Sequence, residues 1–68
     1  MKGYIKVINT RYEKEEVYVN VNQIKMLKQF GKKILIYLDE QFTVHVEMTM
    51  EELTTLIEEA TYFNKTKD

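Results

Sequence analysis

A chain of 68 residues, 44% apolar, has room for one small domain with one thin core. It contains no Cys, Ser, Pro or Trp and a single histidine, His45. That excludes a disulfide framework, a Ser or Cys nucleophile, and a zinc site built from several His or Cys of this chain. The net charge of −1 conceals halves of opposite sign: residues 1–33 carry eight Lys/Arg against three Glu, and residues 34–68 carry two Lys against eight acids. No apolar run approaches the ~20 residues that cross a bilayer, so no membrane insertion is expected. The basic start Met1 to Lys6 is followed by no apolar signal stretch, which gives the expectation of a cytoplasmic protein.

Tyr4 to Ile8 is a short β-branched run, and Val17 to Val21 alternates strictly, with the polar segment Asn9 to Glu16 as the turn between them. Ile24 to Phe30 fits both strand and helical spacing. The Gly31-Lys32 turn that follows favours a strand over 24–30, paired as a hairpin with Lys33 to Leu38. Asp39-Glu40-Gln41 forms the next turn, and Phe42 to Met48 alternates again. The period then changes. Thr49-Met50-Glu51-Glu52 is a capping box, with Met48 and Leu53 placed as a hydrophobic staple. Leu53, Leu56, Ile57 and Ala60, extended by Met50 and Phe63, make one apolar stripe and predict a helix over about 50–63, with 64–68 fraying.

These elements predict an α+β domain over residues 1–68: an antiparallel meander of four or five strands with one C-terminal helix packed on one face. The period of two sends Ile5, Val7, Val17, Val19, Val21, Ile34, Ile36, Leu38, Phe42, Val44, Val46 and Met48 toward that helix. The opposite face then carries Tyr4, Lys6, Ile8, Tyr18, Asn20, Leu35, Tyr37, Thr43, His45 and Glu47. Three Tyr beside Ile8 and Leu35 are more apolar than a solvated face and more polar than a core, as in a partly buried protein interface. Tyr is also a good strand former that tolerates water at its hydroxyl.

The chemistry-bearing residues are sparse. Thr43, His45 and Glu47 share a strand face at i, i+2, i+4, but about 7 Å between such positions is too long for a nucleophile and its base. His45 is better suited to an ordinary surface imidazole, or a partner-facing one, than to catalysis. The pairs Glu51-Glu52 and Glu58-Glu59 diverge around a helix and do not form a cation site. Lys25, Lys28, Lys32 and Lys33 gather around Gly31 with Phe30 nearby, a pattern that serves nucleic-acid binding or protects a strand edge. The residues predict a non-catalytic module without a cofactor, binding itself or another protein through Tyr4, Lys6, Ile8, Tyr18, Asn20, Leu35, Tyr37 and His45. The alternative is a small nucleic-acid-binding regulator using the four lysines.

The layout of Ile5-Lys6-Val7, then Val17-Tyr18-Val19-Asn20 with Ile24 four residues later, is similar to the small FlbD/SwrD family linked to flagellar and swarming motility. Ile34 to Leu38, Phe42 to Val46 and Thr49-x-Glu51-Glu52-Leu53 resemble its second half, so the similarity covers residues 4 to 62. Arg11-Tyr12-Glu13-Lys14-Glu15 and Asp39-Glu40-Gln41 stand where that family has glycine-containing turns. The resemblance implies a motility role, or a phage-borne relative of motility proteins.

Overall fold

The computed structural model describes residues 3–67, with side chains through Thr61. Five strands are followed by a helix: β1 (Tyr4–Asn9), β2 (Glu15–Asn20), β3 (Met26–Phe30), β4 (Lys33–Tyr37), β5 (Thr43–Val46) and α1 (Met50–Lys67). The layout is α+β, antiparallel throughout, with the helix at the C-terminal end. The five strands are divided between two sheets. β1 pairs with β2, and β3–β4–β5 form a three-stranded meander.

The division is caused between residues 20 and 25. Val21 N–H donates to the Gly3 carbonyl at 2.8 Å, closing the β1–β2 ladder. Asn20 Oδ1 then accepts the Asn22 N–H at 2.9 Å and caps a 3-10 turn, Val21–Gln23, that leads the chain away from β2. The strand expected over 24–30 therefore starts at Met26.

Among the described residues, hydrogen bonds join the sheets at one place. Thr10 N–H and Oγ1–H donate to the His45 carbonyl at 2.8 and 3.3 Å, and Asn9 Oδ1 accepts the His45 N–H at 3.2 Å. Beyond that junction the two sheets share a core. Ile5, Val7, Val19, Ile34, Ile36, Val44, Val46 and Leu53 are its buried members, drawn from both sheets and from α1. Val17, Val21, Leu38, Met48, Leu56, Ile57 and Ala60 pack around them as the alternation requires.

Phe42 departs from the expectation. It was assigned to the core face, yet it is 63% exposed. Asp39 Oδ1 accepts the Gln41 and Phe42 N–H groups at 2.7 and 3.0 Å, which holds Phe42 in the turn, one residue before β5 begins. At the other end of β5 the capping box forms as the sequence requires. Thr49 N–H donates to Glu52 Oε1 and Glu52 N–H donates to Thr49 Oγ1, both at 3.0 Å. The helix extends past residue 63 to Lys67, while Phe63 and the tail 64–68 fall outside the side chains described here.

Truncation of Leu53, fully buried in the core that α1 shares with the strands, should cost about 2–5 kcal/mol, whereas Phe42→Ala should stay within about 0.5 kcal/mol. Urea unfolding of the two variants checks this contrast; equal losses would contradict the placement of Phe42.

Candidate interaction surfaces

The eight residues expected to form one surface are distributed over two. Tyr4, Lys6 and Ile8 on β1 stand beside Asn20, Tyr18 and Glu16 on β2, respectively. Tyr4, Ile8 and Tyr18 are 39, 47 and 58% exposed, although each neighbours a buried position on the same strand. Lys6 Nζ lies 3.5 Å from Glu16 Oε2, an exposed pair that adds little stability but neutralises the polar part of this hairpin face.

Leu35, Tyr37 and His45 belong to the outward face of the other sheet, where Leu35 stands opposite His45 and Tyr37 opposite Thr43. All four are half-buried. Sequence reasoning missed two further members of this face, Met26 and Phe30, which are 51 and 65% exposed. The signal was present in the turn. Gly31 adopts φ +65° and no other residue of that turn has positive φ, the pattern of a two-residue type II′ hairpin. Such a turn pairs Phe30 with Lys33 and therefore Met26 with Tyr37, placing all four on one face.

Three of the four lysines gather at the β3–β4 hairpin. Lys28 and Lys33 lie on this outward face, Lys32 sits in the turn, and Lys25 precedes β3, its N–H donating to the Tyr37 carbonyl at 2.8 Å. Arg11, at the tip of the β1–β2 loop, stacks 5.1 Å over the Tyr12 ring and lies close enough to His45 to act on it electrostatically. Partial burial pushes the His45 imidazole below the usual histidine range, and the charges of Arg11 and Lys33 lower it further.

Neither Thr43 nor Glu47 hydrogen-bonds the His45 ring among the described residues, so the three are aligned without being coupled. Among the described residues no three His, Asp or Glu side chains gather as a metal-binding group. An open groove of about 960 Å³ runs between the β3–β4 turn and the start of α1, lined by Phe30 and Met48 together with Lys32, Lys33, Glu47 and Glu52. No described helix is long and apolar enough to cross a membrane.

Compared with family models, curated proteins and solved structures, the chain matches none. The similarity to the FlbD/SwrD family thus rests on the residue layout alone.

Because the folded state holds His45 deprotonated more firmly than the unfolded chain does, its contribution is complete above pH ~6.5. It is lost as pH falls through the lowered folded-state value. Urea midpoints should therefore drop more between pH 7.5 and 5 in the parent than in His45→Gln, and parallel drops would count against the partial burial of this ring beside Arg11 and Lys33.

Proposed function

We propose that this protein is a small non-catalytic protein–protein interaction module that associates with a second copy of itself through the outward face of the β1–β2 hairpin. The observation that carries the proposal is the exposure of Tyr4, Ile8 and Tyr18 side by side on a hairpin whose other face is core. Tyr buries a large rigid area with few rotatable bonds to freeze, which suits it to anchor an interface. Lys6 and Glu16 already neutralise one another, so a copy of the same face meets no net charge. Asn20 supplies a polar rim.

A second consideration is size. A core with eight buried apolar side chains among the described residues leaves a small domain marginal on its own, and association with another copy adds stability by mass action. The FlbD/SwrD resemblance offers a setting for such a module, as an accessory of motility, and adds no site residue.

The double variant Ile8→Ser/Tyr18→Ser removes the anchors without touching the buried set. Light scattering over a concentration series should show a mass approaching the dimer for the parent and the monomer for the variant, with unchanged circular dichroism. A parent that stays monomeric throughout refutes the proposal.

A further inference from the structure

The outward face of β3–β4–β5 differs in charge from that of the β1–β2 hairpin. Its cross-strand pairs are Phe30 with Lys33, Lys28 with Leu35 and Met26 with Tyr37, and β5 adds Thr43 and His45. None of these side chains is acidic. Lys32 extends the basic character into the turn, and Arg11 approaches from the β1–β2 loop, near enough to lower the affinity of His45 for a proton. The acids lie around its margins and beyond: Glu13 in the β1–β2 loop, Glu15 and Glu16 on β2, Asp39 and Glu40 in the β4–β5 turn, Glu47 and Glu52 lining the groove beside Phe30, Lys32 and Lys33, and Glu51, Glu58 and Glu59 exposed on α1. Since α1 packs on the core side of the sheets through Leu53, the domain has a basic sheet face and an acidic helix face.

Basic charge alone would suit any polyanion. Aromatic groups make the face more selective. Phe30 is 65% exposed, and Tyr37 lies four positions further along the ladder on the neighbouring strand, with Leu35 between them. Strand geometry puts their Cα atoms about 14 Å apart, room for two stacked bases with a nucleotide between them. The geometry points to this face as a platform for single-stranded nucleic acid, with bases stacked on Phe30 and Tyr37 and phosphates neutralised by Lys28, Lys33, Lys32 and Arg11. A duplex keeps the faces of its bases within its own stack, so only an unpaired strand can use the rings. Arg11 over Tyr12 adds a second stacking surface at the margin of the sheet, and Tyr12 is 81% exposed.

The test is fluorescence anisotropy with a labelled oligothymidylate and the full chain, across a salt series. The parent should bind at low salt and weaken as salt rises. Lys28→Gln/Lys33→Gln should reduce the log–log salt slope by about 1.4, at ~0.7 per phosphate contact of a single strand. Phe30→Ala, at a position outside the core, should weaken binding roughly 5- to 100-fold while circular dichroism is unchanged. Absence of binding at low salt overturns the inference. So does equal affinity for a duplex, for heparin or for polyglutamate, which would mean charge attraction without stacking. An unaltered affinity in Phe30→Ala overturns it as well. The mass of the protein alone is read separately, so this outcome and the fate of the β1–β2 association are distinguishable.

Discussion

Strands send successive side chains to opposite faces, and a single amphipathic helix can cover only one of the faces that five strands create. Everything notable about this domain's surface descends from that constraint. Leu53 and its neighbours on α1 complete a core with Ile5, Val7, Val19, Ile34, Ile36, Val44 and Val46, and the residues between those positions are turned to solvent. Among them are two tyrosines and an isoleucine on one hairpin, and Met26 and Phe30 on the other sheet. A fold with a second helix would have buried them; this one leaves them available.

The junction of the two sheets shapes what that availability means. Were all five strands hydrogen-bonded side by side, the outward residues would form one continuous layer of mixed composition. The chain instead breaks at the turn capped by Asn20, and the sheets are rejoined through the His45 backbone, held by Asn9 and Thr10. Asn9 serves two purposes there, since its Oδ1 also accepts the Arg11 N–H at 3.2 Å and so orders the loop that carries Arg11 toward His45. A neutral, tyrosine-rich hairpin face and a basic, aromatic sheet face result.

Much of this was legible in the residues, and the parts that were not have identifiable causes. The capping box at Thr49 and the stripe from Leu53 to Ala60 are local signals within a few residues, and they specify α1 regardless of what it packs against. Alternation likewise assigned the core positions of β1, β2, β4 and β5. Phe42 escaped because parity places a residue on a face but does not say where the strand begins; an aspartate turn kept it outside β5. The split of the sheet depended on a side-chain bond from Asn20, and its rejoining on a long-range bond from Thr10 to His45, 35 residues apart, which no local pattern encodes. Met26 and Phe30 could have been found by carrying the register through the Gly31 turn, and the same register sets Lys25, before β3, apart from Lys28, Lys32 and Lys33 at the hairpin.

The claim on which the account stands is that the two outward faces act independently. Amide-resolved NMR spectra recorded during dilution, and then during addition of a single-stranded oligonucleotide at the lowest concentration, test it directly. The account predicts shifts around Tyr4, Ile8 and Tyr18 in the first series and around Lys28, Phe30, Lys33 and Tyr37 in the second. A single set of residues moving in both, or shifts centred on the acidic face of α1, would contradict it.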